Sequence, residues 1–196
     1  MRKLVILAAL LAPAVAEAQS TATPVFQAPY RAFARSEFGV SLSDPGAGMA
    51  VEASYRYGRQ KLDLGFRGGF HDVEGGDATI LLGVDVRSRV LTHSADFPLD
   101  GALTLGVGAL LNDGFNVFHV PVGLSLGRRV DMEGSDVSFV PYFQPVLGLF
   151  LGEGNSELEF GIGLGTDIRV GRNLDLRVSG AIGDYEGIAI GLAWLR

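Results

Sequence analysis

From Leu158 to Val170 the chain alternates without a break. Leu158, Phe160, Ile162, Leu164, Thr166, Ile168 and Val170 fall on one side, and Glu159, Gly161, Gly163, Gly165, Asp167 and Arg169 on the other. After Gly171-Arg172-Asn173 the alternation restarts, with Leu174, Leu176 and Val178 opposite Asp175, Arg177 and Ser179. A period of two over this length specifies strands, and the short polar break between them specifies a hairpin. The chemistry of the two faces narrows the fold further. One face is fit for oil, and the other carries glycines and charges. Apolar outside with small and polar inside is the pattern of a transmembrane β-barrel. A water-soluble ligand-binding barrel would turn its apolar face inward.

The same alternation recurs along the chain, and it predicts ten strands. They lie near Ser36–Ser43, Met49–Tyr57, Lys61–His71, Ala78–Val90, Gly101–Leu111, Val117–Arg129, Val137–Leu151, the two strands of the hairpin above, and Gly187–Arg196. Eight strands is the alternative if the first or the seventh is misread. An even number returns both ends of the barrel to one side of the membrane, and each strand is close to the ~9–11 residues that a tilted crossing needs. Tyr57-Gly58-Arg59 followed by Leu62-Asp63-Leu64 resembles Val170-Gly171-Arg172 followed by Leu174-Asp175-Leu176, which suggests a repeated two-stranded unit. Aromatic residues fall at two levels. Phe38, Tyr55, Tyr57, Phe139, Phe143 and Trp194 lie near one rim, and Phe70, Phe118, Phe150 and Phe160 near the other, as expected for interfacial girdles.

The 28 glycines are about twice the usual share of roughly 7%. Such enrichment suits strands whose inner faces must be small. Arg2 and Lys3, an apolar core from Leu4 to Val15 and then Ala16-Glu17-Ala18 have the order of a secretory signal peptide. Residues 1–18 are therefore expected to be a signal peptide, 19–34 a flexible periplasmic lead-in, and 35–196 the barrel. A plug inside the lumen is the alternative for the lead-in. Cleavage after Ala18 removes two positive charges and one negative, taking the net charge from −6 to −7. An acidic chain is a poor partner for nucleic acid. There is no cysteine, and a closed barrel needs no disulfide staple because no strand edge stays open.

The strand rhythm, the leader and the ending Gly191-Leu192-Ala193-Trp194-Leu195-Arg196 resemble the small bacterial outer-membrane β-barrel superfamily, which includes the OmpA-like and OmpW-like barrels. The resemblance implies an outer-membrane location and insertion by the outer-membrane assembly machinery, with Gly191 and Trp194 as the C-terminal assembly signal. Trp194 sits two residues before the end where the family usually has a terminal aromatic residue. The resemblance names no substrate.

Inward positions carry charges in pairs: Glu52 with Arg56, Asp63 with Arg67, Asp85 with Arg87, Asp167 with Arg169, and Asp175 with Arg177. Residues two or four apart on a strand share a face. The expectation is a self-compensating lumen network, with a charged constriction as the alternative. His71 beside an outer loop, His93 in a periplasmic connection and His119 facing the lumen have no serine elbow or metal spacing around them, so no catalytic residue, metal or cofactor is assigned. Pro121 and Pro145 cannot donate to a ladder; two local bulges that bend the strand are the expectation, and a weak seam in the wall where the two prolines come close across the strands is the alternative. The function expected is a structural or interaction role for a monomeric outer-membrane barrel, held in lipid. A narrow passive pore and a lipid-modifying enzyme, or lateral passage of an apolar ligand near the prolines, are the alternatives.

Overall fold

A computed structural model of the chain describes residues 20–29, 35–46, 48–73, 75–135, 137–152 and 154–196. The signal-peptide assignment falls outside these residues. Ten spanning strands are formed: β1 (Glu37–Asp44), β2 (Gly48–Arg59), β3 (Leu62–Val73), β4 (Thr79–Leu91), β5 (Asp100–Asn112), β6 (Phe115–Gly127), β7 (Ser138–Leu151), β8 (Ser156–Arg169), β9 (Leu174–Gly183) and β10 (Gly187–Leu195). Each pairs antiparallel with its neighbours in sequence, and β1 pairs with β10 from Glu37↔Leu195 to Asp44↔Ile188. The two-residue strand Val130–Asp131 folds back on the start of β7. The result is a closed up-and-down transmembrane β-barrel of ten strands, which removes the eight-strand alternative.

Closure follows from the alternation. Side chains of one phase, such as Leu42, Val51, Phe70, Leu105, Phe118, Leu158 and Ile188, are exposed on the outside of the wall, and those of the other phase are buried inside it. Turning so much apolar surface outward is favourable only in lipid. Phe38, Tyr55, Tyr57, Phe143 and Trp194 face out near the end that carries β1's first residue and the C-terminus, here the terminal end. Phe38 and Trp194 lie 6.3 Å apart, centroid to centroid. Phe70, Phe118 and Phe160 face out near the opposite, distal end. Phe150, expected in that distal girdle, is corrected. It is in register with inward-facing His119, and its ring stacks on the imidazole at 4.1 Å. His71 is also corrected, from a loop position to a buried, inward position near the distal end of β3.

The largest correction concerns the lead-in. Ser20 to Ala28 are buried in the lumen instead of leading up to it. The reason lies in the strand count. Barrel diameter grows with the number of strands, and about eight already give an interior that side chains alone can fill. Ten strands with glycine-rich inner faces leave a space, and the first described residues of the chain occupy it.

Candidate functional site: a charge-paired lumen with an internal segment

The inner wall binds the segment mainly through its main chain. Ser179 Oγ donates to Pro24 O at 2.6 Å and accepts from Phe26 N at 3.2 Å. Arg67 donates to Val25 O at 3.3 Å, Ser125 to Gln27 O at 2.9 Å and Arg87 to Ala28 O at 2.9 Å. Thr23 adds a side-chain contact, its hydroxyl donating to Glu52 Oε2 at 2.6 Å. A proline-containing stretch with no ladder of its own thus has the carbonyls of Pro24, Val25, Gln27 and Ala28 met by donors of the wall, the pairing that buried backbone requires.

Glycine on the inner face makes this possible. Gly83 on β4 and Gly106 and Gly108 on β5 lie against Ser20; a Cβ at Gly108 would collide with the Ser20 carbonyl. Gly163 on β8 lies against the face of Phe26, which packs with Ala28, Val140, Tyr142, Val146 and Tyr185 in the lumen's apolar cluster. Tyr185 comes from the connection between β9 and β10. Its ring turns inward over Gly148 and Gly161, and its hydroxyl lies 3.5 Å from His119 Nε2. The inner glycines therefore receive groups from elsewhere in the chain.

All ten charged residues singled out in the sequence point inward, but their pairing differs from the expectation. Within one strand, residues two apart are separated by nearly 7 Å, whereas directly opposed residues on neighbouring strands are about 4.5–5.5 Å apart. The contacts therefore run across strands. Arg87 binds Asp63, its register partner, through Nη2 at 2.9 Å. Arg56 also contacts Asp63 and reaches Asp85 with Nη2 at 2.7 and 2.8 Å. Two arginines and two aspartates thus form one neutral unit. Arg67 pairs with Glu52 at 3.8 Å. Arg169 binds Asp175, and Arg177 contacts its register partner Asp167 at 3.3 Å. Arg177 also forks onto Glu37, with two contacts of 2.8 Å. Glu37 was not singled out from sequence, although it shares the inward phase of Gly39, Ser41 and Ser43. These units concentrate toward the terminal end.

Arg56 reaches Asp85 across β3 because Gly65 lies between them in register. A Cβ there would come within 2.5 Å of Arg56 Nη2 and 2.8 Å of Asp85 Oδ1. Gly65→Val is expected to split this pair, leave two buried charges poorly met, and lower stability by about 3–5 kcal/mol. Urea titration of the folded barrel in detergent or lipid checks it. Gly68→Ala, where the nearest atoms stand at 3.6 Å, is the mild comparison.

The prolines do not share a seam. Pro121 faces inward and is opposite Gly148; continuing the same register places Pro145 opposite Leu124, three residues further along. The β5–β6 ladder stops at Leu105↔Val122 and resumes at Gly108↔His119. The β6–β7 ladder stops at Gly123↔Val146 and resumes at Leu126↔Phe143. A proline removes a donor on one side of its strand only, so Pro121 interrupts pairing toward β5 and Pro145 pairing toward β6. His93, in the β4–β5 connection, contacts Asp100 at 2.9 Å. At the C-terminus Gly191 faces the lumen and Trp194 faces out.

This fold is of the outer-membrane barrel type. No family model matches the chain, nor does any curated protein. Among solved structures it is similar to the β domain of the Bordetella autotransporter BrkA, with a TM-score of 0.51 at 16% identity over 81% of this chain and 82% of that one. A designed transmembrane β-barrel aligns with a TM-score of 0.41 at 18% identity, covering 88% of this chain and all of the designed one. The likeness to the autotransporter domain concerns the fold alone.

Proposed function

We propose that the protein is an integral outer-membrane β-barrel with a structural or interaction role, exported by its N-terminal leader and closed by its own residues Ser20–Pro29. The observation that carries this reading is the burial of that segment against the charge-paired wall. On this reading both ends of the barrel face the periplasm, Gly191 and Trp194 are offered to the assembly machinery, and the apolar girdle is held by lipid. The finer kinship proposed is with the small barrels that include the OmpA-like and OmpW-like proteins. The distal connections are only two to five residues long, which leaves little protein to project as an adhesin. The reading assigns no catalytic role to His71, His93 or His119 and treats the barrel as a monomer.

The test is conductance. Purified full-length protein in a planar bilayer is expected to give no steady current, while migrating as a heat-modifiable folded species on a gel. A reproducible ion-sensitive current from the intact protein would favour the passive-pore alternative instead.

A further inference from the structure

We propose that the lumen is a peptide-binding site. Its ligand class is an extended, uncharged peptide carrying a polar side chain and, three residues later, an aromatic one; Thr23–Phe26 is the resident occupant. The inference rests on the closed-lumen reading and deepens it by specifying what the closed site recognises.

Three observations carry it. First, Arg67, Arg87, Ser125 and Ser179 contact main-chain groups on consecutive residues from Pro24 to Ala28. Contacts to carbonyls are independent of side-chain identity, so any extended chain of matching course can satisfy them. Secondly, side chains are read at two points: the hydroxyl of Thr23 meets Glu52, and the ring of Phe26 fills an apolar slot floored by Gly163. The segment from Ser20 to Pro29 contains no charged residue, so it leaves the wall's internal charge balance undisturbed.

Thirdly, the resident occupant does not satisfy the site completely. Glu52 Oε1 and Arg67 Nη2 are buried and find no hydrogen-bond partner among the described residues. One is an acceptor and the other a donor, and they belong to the ion pair beside Thr23. A hydroxyl supplies only one donor. A carboxamide supplies two N–H donors, one to take the place of the hydroxyl at Oε2 and one for Oε1, and a carbonyl acceptor for Nη2. The site is therefore better matched to Gln or Asn at the Thr23 position than to the threonine it holds, and its preferred ligand is an amide-bearing peptide from another chain.

The experiment uses two vacated forms: the chain lacking residues 20–29, and the chain lacking residues 23–28, the stretch that the wall binds. Both are checked for folding by heat-modifiable migration. Dye-labelled ten-residue peptides are added: the resident sequence, the same with Thr23→Gln, the same with Phe26→Ala, and a scrambled control. Fluorescence anisotropy reads binding, and bilayer current reads block. The resident peptide is expected to bind the vacated barrels at least tenfold more tightly than the intact chain. The Thr23→Gln peptide is expected to bind about tenfold more tightly again, and the Phe26→Ala and scrambled peptides at least tenfold more weakly than the resident one. Failure of every peptide to bind a folded vacated barrel, or equal binding of the scrambled one, overturns the proposal. So does a Thr23→Gln peptide that binds no better than the resident sequence. If the intact protein conducts yet a vacated barrel shows the expected ranking, the closed-lumen reading fails and the peptide site stands. If the intact protein is silent and vacated barrels ignore the peptides, the reverse holds.

Discussion

Removal of Ser20–Pro29 is expected to turn a silent barrel into a conducting one. Steady single-channel steps should appear in a planar bilayer where the full chain gives none, and they should favour cations. The segment occupies space that the wall does not fill for itself. Around Ser20 the inner wall includes Gly83, Gly106 and Gly108, and against the ring of Phe26 it includes Gly163. With the segment gone, no side chain at these positions can close the gap, and the exposed inner face is polar enough to be wetted. The wall itself should survive. Arg67 and Arg87 lose the Val25 and Ala28 carbonyls but keep Glu52 and Asp63 as charge partners. Cation preference follows from the distal mouth, where Asp44, Asp72, Asp77, Asp113, Asp184 and Glu186 stand at or near the connections. Among the described residues of those connections there is no lysine or arginine. Rings of carboxylates at a mouth draw cations. A folded deletion variant that stays silent would show that other groups, with Tyr185 and Tyr142 first in line, seal the lumen without help.

The wall was legible in the sequence because its cause is local. Each strand announces its lipid face by a period of two, and closure needs only that the apolar phase stay continuous from β1 to β10. The segment was not legible for the opposite reason. Thr21 to Gln27 have neither period nor charge, and nothing within such a stretch says that it will be buried. The signal lies elsewhere, in the glycines of β5 and β8, whose inner faces leave space in a barrel of ten strands. Phe26 completes that argument, because an aromatic ring in a polar-looking lead-in needs an apolar seat.

The charges show the same division between local and non-local causes. Which residues point inward is fixed by phase, and Glu52, Arg56, Asp63, Arg67, Asp85, Arg87, Asp167, Arg169, Asp175 and Arg177 all do. Which residue meets which depends on register between strands, and register is set by turns and bulges spread along the chain. Arg177 illustrates the limit: it reaches Glu37, far away in sequence, because β10 closes the barrel between them. Phe150 shows a second limit, since an apolar ring on a strand that is apolar on both faces has no phase of its own to declare.

Asp63 is where this cross-strand pairing has its largest expected effect. Its carboxylate receives both Arg56 and Arg87, and Arg56 also binds Asp85. Asp63→Asn preserves shape but removes the carboxylate that both buried guanidinium groups contact. Removing one partner from a buried ionic group costs about 3–5 kcal/mol, mostly from the charge left behind. Urea unfolding of the lipid- or detergent-embedded barrel should show that loss. Asp131→Asn, in the exposed pair that Arg129 makes at 2.6 Å, should change stability by less than about 1 kcal/mol. The decisive variant carries Asp63→Asn together with Arg87→Gln. It removes one charge of each sign, leaves Arg56 on Asp85, and returns the unit to neutrality. It should therefore be less damaging than the sum of the two single changes, and close to or milder than Asp63→Asn alone. Simple additivity would mean that the four residues act as separate contacts, and the self-compensating unit would have to be abandoned.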